Sequence, residues 1–334
     1  MRFGPVPLAQ AMGAILAHSH GQAEARLRKG MVLGPDQIAA LDAAGVRDVV
    51  VARLGPQDVA EDIAATALAQ ALVPDGTTVG LGLTAAFTGR VNLNATRPGI
   101  VEMDTAAVHA LNRVDPGITL ATLAPFARVT PRLLVGTVKI ITYAVPARAL
   151  QVACDLGRAA LRIRPVVLRD ASLILTETEA GAGDKLADKG RAAIKARLAA
   201  LGMTLAGCQT VAHDEAALAR ALGAAPGAML LILTGTATSD LHDIAPQALR
   251  RAGGHVARFG MPVDPGNLLF HGSLGARPVI GLPGCARSPA LNGADWVLER
   301  LACGLALTDD DVAGMGVGGL LKEIPIRPQP REQR

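Results

Sequence analysis

From residue 171 to residue 302 the chain alternates apolar runs of strand length with Ala-rich runs of helix length, and few folds accept that rhythm. ASLILTET, MTLAGCQTVA, AMLLILTG, GHVARFGM and RPVIGL read as strands. The stretches from about Leu186 to Leu201, Glu215 to Leu222, Ile244 to Ala252 and Asp295 to Ala302 read as helices. Gly202, Gly253 and Gly254 stand where helix C-caps belong. The pattern predicts a doubly wound α/β sheet. In such a sheet the loops that follow the carboxyl ends of the strands gather along one edge, and ligands bind there.

The first half lacks this regularity. Pro35, Asp36 and Gly45 frame a helix ahead of the strand VRDVVVARL, and a second helix is predicted from about Gln57 to Leu72. Short β-like runs (TTVGLGL, GIVEMD, ITLATLA, VKIITYAV) then follow between Thr77 and Val145, separated by Gly and Pro. The opening MRFGPVPLAQAMGAILAHSHGQA places Arg2 before apolar residues as a secretory signal does. Pro5, Pro7 and Gln10 interrupt it, which leaves a short amphipathic helix as the expectation. The expected organisation is a mixed α/β region with a β-rich lobe over 1–165, an α/β/α domain over 166–308, and a Gly-, Pro- and charge-rich tail or linker over 309–334.

Bulk properties exclude several function classes. At 334 residues, 50% hydrophobic and 19% charged, the chain is globular. Cys154, Cys208, Cys285 and Cys303 are scattered without a CxxC pair, which argues against a disulfide framework or structural zinc and fits a reducing cytoplasm. No uncharged apolar run approaches the roughly 20 residues of a membrane helix. A net charge of +4 suits an anionic ligand. With aromatics at 2% and bases interleaved with acids, nucleic acid is not the expected partner.

Three loops are expected to share the carboxyl edge. TETEAGAGDK offers glycines, among them Gly183, whose amides suit a phosphate, and Asp184 immediately before a helix, where an N-cap is the plainer reading. TGTATSDLHD packs Thr234, Gly235, Thr238, Ser239 and Asp243 into one turn. Its hydroxyls and helix-start amides suit phosphate, and its carboxylates suit a pterin edge or Mg²⁺. Asp240 reads there as a helix cap and His242 as a surface or capping residue. The third wall combines 261–266, with Pro265 and Gly266, and 281–288, with Pro283, Gly284, Cys285 and Ser288; the tight turns follow from Gly and Pro. The Cys285 thiolate is a soft ligand that could hold a metal-laden dithiolene, against the plainer reading of a small packed residue.

In order and spacing over about 170–308, these segments resemble the molybdopterin-binding domain family, in particular the molybdopterin molybdotransferases of molybdenum cofactor biosynthesis. AGDKL stands where those proteins have "TGDEL", TGTATSDLHD where they have "GGvSvGdyD", and the third wall where they have "mkPGkP" followed by a strand and "LPGNP". PLAQAMGAILA and KGMVLGPDQIAALDAAGV are similar to their opening helix and the segment after it. The resemblance implies a three-layer α/β/α domain that binds molybdopterin, Mg²⁺-assisted insertion of molybdate into the adenylated pterin, and a homodimer. It assigns Asp184 and Asp243 as catalytic residues and Asp243 as the metal ligand. The chain also departs from the pattern. Thr236 replaces a second glycine, Asp264 and Asn267 stand where two lysines are usual, and Cys285 and Ala286 replace Asn and Pro. Lost cations weaken an oxyanion site, and Arg287 is the candidate to restore one. A non-catalytic carrier that presents molybdopterin to a nucleotidyltransferase or molybdoenzyme, and a nucleotide-pyrophosphate hydrolase, stand as alternatives.

Overall fold

The structure, a computed structural model, describes residues 1–21, 26–178 and 184–321, without the side chains of 184–186. The chain divides into two compact units. The first comprises Met1–Arg97 with Val101–Arg164, and the second comprises Pro98–Ile100 with the described chain from Pro165 onward.

The first unit opens with β1 (Arg2–Pro7), a 3-10 turn (Leu8–Gln10), β2 (Ile15–Leu16), α1 (Pro35–Ala43) and β3 (Asp48–Arg53). Its small sheet has the order β1-β3-β2 and covers a cluster that includes Leu16, Leu33, Leu41 and Val51. The amphipathic helix expected at the start is thus corrected to a strand and a single turn. Pro5 and Pro7 explain it, since proline lacks the amide a helix interior requires and is accepted in an edge strand.

β4 (Asp58–Ala60), α2 (Glu61–Leu72), α3 (Gly76–Val79), β5 (Leu81–Leu83), β6 (Arg90–Ala95), β7 (Gly99–Met103), α4 (Thr105–Leu111), β8 (Ile118–Thr122), β9 (Arg128–Val129), β10 (Leu134–Ile140), β11 (Ala144–Pro146), α5 (Ala147–Gly157) and β12 (Leu161–Pro165) follow. They form a four-stranded sheet β5-β6-β10-β8, a pair β11-β4 and a sheet β12-β7-β9 among the described residues. Leu68 and Leu72 of α2 are buried with Leu93, Val138 and Ile140 from these strands in one apolar cluster.

The second unit contains β13 (Asp170–Glu177), α6 (Asp184–Ala200), β14 (Thr204–Ala212), α7 (Glu215–Ala224), β15 (Leu230–Leu233), α8 (Ile244–Arg251), β16 (His255–Phe259), β17 (Phe270–Leu274), β18 (Arg277–Gly281), α9 (Gly293–Ala302) and α10 (Asp309–Gly314). The described sheet has six strands in the order β14-β13-β15-β18-β17-β16. Side chains alternate across it. Leu173 and Leu175 join Ile194 and Leu198 of α6 and Val297 and Leu298 of α9, whereas Ile174 joins Leu218 and Leu222 of α7 and Leu249 of α8. Helices therefore cover both faces, giving three α/β/α layers.

The sheet is mixed, because β17 runs antiparallel to both β16 and β18. Leu274 pairs with Arg277 across a two-residue turn, where Gly275 adopts φ +59. The expected tail is folded as far as Leu321: Thr308 caps α10, Met315 and Leu321 are buried, and Leu321 N–H donates to Asp264 O at 2.9 Å. Residues 322–334 lie outside the described residues. No described helix is long and apolar enough to cross a membrane.

Candidate functional site

Strand register brings the site loops to one edge. Ile174 pairs with Gln209 and Ile232, Ile232 with Gly281, Gly281 with Phe270, and Phe270 with Phe259. The carboxyl ends of β13, β14, β15, β18 and β16 consequently leave the sheet on the same side. β14 lies on one side of β13 and β15 on the other, so a topological switch point falls at this edge.

The exit of β15 is built from hydroxyls. Thr234 Oγ1 donates to Thr236 O at 2.6 Å and lies 3.5 Å from Thr238 Oγ1; Thr234 and Thr238 are both buried. Gly235 crosses β13 closely. A Cβ there would stand 2.8 Å from Thr176 O, while its N–H donates to Thr176 Oγ1 at 3.0 Å. Thr176 Oγ1 is 2.8 Å from His213 Nδ1, and His213 Nε2 is 2.9 Å from Thr236 Oγ1. The amides of Thr236, Ala237 and Thr238 donate to no acceptor among the described residues.

The cap role expected of Asp240 falls to Asp243. Asp243 is the N-cap of α8: Oδ1 accepts from Ile244 N–H at 2.7 Å and Oδ2 from Ser239 N–H at 2.9 Å. Asp240 Oδ1 instead accepts from His242 N–H at 2.7 Å and closes a local turn. Ser239 is thereby tied to the start of α8. Among the described residues, no three or more His, Cys, Asp or Glu side chains gather as a metal site.

After β18 the chain passes Leu282 and Pro283 into a 3-10 turn over Gly284–Arg287. Ala286 N–H donates to Pro283 O at 2.9 Å, and Ser288 N–H to Cys285 O at 3.0 Å. Arg287 Nη2 donates to Thr234 O at 2.6 Å, joining this turn to the hydroxyl loop. Burial pushes the Arg287 guanidinium below its ordinary pKa, and its buried Nε has no partner among the described residues. Arg197 braces the same turn from α6. Its nitrogens donate to Ala286 O, Ser288 O and Ala290 O at 2.9, 2.8 and 3.1 Å, and to Asp295 Oδ1 at 2.6 Å.

The other part of the third wall is occupied by packing. Pro265 and Gly266 are buried, Pro265 O accepts from Gly293 N–H at 2.8 Å, and a Cβ on Gly266 would stand 2.7 Å from Gly293 N. Asp264 N–H donates to Gly319 O at 2.8 Å, and Asn267 Nδ2 to Met261 O at 3.3 Å. Hydrogen bonds join Thr234, Thr238 and Gly235 to one another's neighbours and to Arg287, whereas Pro265 and Gly266 brace the start of α9. Asp184 opens α6, its side chain is outside the described residues, and Gly183 is outside them altogether. Sequence reasoning missed Thr176 and His213, although both meet the criterion applied to the three loops: Thr176 sits at the end of β13 and His213 directly follows β14.

Residues 172–302 match a family described as "Probable molybdopterin binding domain", and residues 5–53 match a domain of unknown function, DUF8806. No curated protein matches the chain. Among solved structures it is similar to the molybdopterin biosynthesis moea protein from Pyrococcus horikosii, at 14% identity over 91% of this chain and 75% of that one, with a TM-score of 0.31. It is also similar to a molybdenum cofactor biosynthesis protein from Pyrococcus furiosus, at 12% identity over 94% of this chain, with a TM-score of 0.24. The chain spans 65% of the length of that second structure.

Proposed function

We propose that the second unit, whose residues 172–302 match the family described as "Probable molybdopterin binding domain", binds molybdopterin at the carboxyl edge of its sheet and presents it to a partner in molybdenum cofactor biosynthesis. The observation that carries the reading is the donor set where β13, β15 and β18 end. The Thr236 hydroxyl, the amides of 236–238 and the Arg287 guanidinium, whose buried Nε lacks a partner among the described residues, suit the phosphate and the carbonyl and ring-nitrogen acceptors of a pterin.

The same geometry favours holding over chemistry. Asp243, the expected metal ligand, has each carboxylate oxygen engaged by a backbone amide. Among the described residues no three His, Cys, Asp or Glu side chains gather, so a Mg²⁺ here would rest on one or two carboxylates and the ligand's own phosphate. No lysine occurs between Lys195 and Lys322, so the two cations that the resemblance places at Asp264 and Asn267 have no lysine substitute along this wall. Arg287 supplies one positive charge, enough to orient a phosphate.

A two-stage measurement tests the proposal. The purified chain is titrated with molybdopterin, and adenylated molybdopterin is then incubated with protein, Mg²⁺ and molybdate while AMP is assayed. Saturable binding without AMP release is expected, and Arg287→Met should weaken binding about tenfold through loss of a charge-assisted contact. Molybdate-dependent AMP release would make the protein a molybdotransferase. Absence of binding would overturn the reading.

A further inference from the structure

Thr236 is a side chain in place of a glycine in the resembled pattern, and the structure gives its hydroxyl a fixed companion. A hydrogen-bonded series runs from Gly235 N–H to Thr176 Oγ1, across the imidazole of His213, and out to Thr236 Oγ1 at 3.0, 2.8 and 2.9 Å. Its members come from the ends of three neighbouring strands, so the register of the sheet maintains it.

The direction of each bond follows from the number of protons and lone pairs. A threonine hydroxyl has one proton and two lone pairs. Thr176 is 5% exposed, one lone pair takes the Gly235 amide, and among the described residues its proton has a single acceptor, His213 Nδ1. The reverse arrangement would leave a buried proton without a partner, which native interiors avoid. Nδ1 is therefore the accepting nitrogen and Nε2 carries the ring proton. Nε2–H donates to Thr236 Oγ1, and the Thr236 proton is left to point away from the ring. Thr236 is exposed, and the amides of 236–238 beside it donate to no acceptor among the described residues.

We infer that Thr236 is a specificity-determining residue that donates to a tetrahedral oxyanion, and that His213 and Thr176 are positioning residues that fix it as a donor. A rim made of donors selects an acceptor-only group over a ligand that must itself donate. The inference rests on the carboxyl edge being the ligand cleft and does not require the ligand to be a pterin. A phosphate ester on the ligand and free molybdate both offer this chemistry.

The test uses the full chain with inorganic phosphate and sodium molybdate as separate calorimetric probes, together with ¹⁵N NMR of the His213 ring. The NMR spectrum should show the Nε2–H tautomer. Thr236→Val and His213→Phe should each weaken oxyanion binding about tenfold, the double variant little further, and Thr236→Ser should retain it. Sensitivity to Thr236 with phosphate assigns the subsite to a phosphate ester; sensitivity with molybdate alone assigns it to the free oxyanion. An Nδ1–H tautomer in the unmodified protein, or affinity of the Thr236→Val variant unchanged from that of the unmodified protein for both probes, overturns the inference. Thr236-dependent phosphate binding without molybdopterin binding would defeat the proposed function and leave this inference standing. Molybdopterin binding indifferent to Thr236, with neither phosphate nor molybdate sensitive to it, would do the opposite.

Discussion

Arg197 Nε and Asp295 Oδ1 meet at 2.6 Å with side chains only 9% and 11% exposed, and the same guanidinium holds three carbonyls of the turn after β18. One side chain thus anchors α6, the start of α9 and the turn after β18.

Arg197→Met should destabilise the protein by about 3–5 kcal/mol, because it leaves a buried carboxylate and several carbonyls without their donor. Asp295→Asn keeps an acceptor for Arg197 and should cost less. Urea denaturation midpoints compare the two, and equal small losses would show that the pair does not organise the turn.

Asp243→Asn should cost about 1 kcal/mol, since an amide has one acceptor oxygen for the two backbone N–H groups that Asp243 now satisfies. The released Ser239 segment should also lower molybdopterin affinity. Calorimetry of the variant tests this, and unchanged affinity would remove the loop from the cleft.

His271 supplies a pH dependence. It is 4% exposed, and burial, reinforced by Arg258, pushes its pKa below the ordinary 6.5. The unfolded chain therefore binds a proton near pH 6.5 that the native state refuses. Stability is full above that pH and declines as pH falls, by no more than about 1.4 kcal/mol per pH unit from this group. Urea midpoints at several pH values between neutrality and mild acid should fall more steeply for the native sequence than for His271→Leu. Parallel slopes would refute the assignment.

Gly281 and Phe270 face each other across β18 and β17, and a Cβ on Gly281 would stand 1.9 Å from the ring. Gly281→Ala should cost about 1–3 kcal/mol through overpacking. Phe270→Leu should restore part of that loss in a double-mutant cycle read by thermal unfolding. Additive losses would mean that the ring moves aside freely.

The second unit is legible in sequence because its strands and helices repeat with clear periods and its turns carry Gly and Pro. β17 escapes that reading: FHGSL has a glycine in mid-strand, where the backbone of His255 approaches within 1.9 Å of a would-be Cβ. In the first unit, helix-like composition at the start loses to Pro5 and Pro7, and strands of two to seven residues carry too little periodicity to reveal their pairing. The hydroxyl loop is visible because its residues are contiguous. The His213 contacts are not, since they join residues 37 and 23 positions apart that only the strand register brings together. Asp240 ranks as the cap ahead of Asp243 in sequence, and the structure reverses that because either residue can begin a helix.

β1 borders its sheet, with Pro5 and Pro7 at alternating positions that share one side of the strand. A third position on that side, Phe3, retains its amide. An incoming strand from another molecule would find a nearly donorless border there, so the prolines that prevent a helix also shield this sheet from edge-to-edge growth and the aggregation that follows from it.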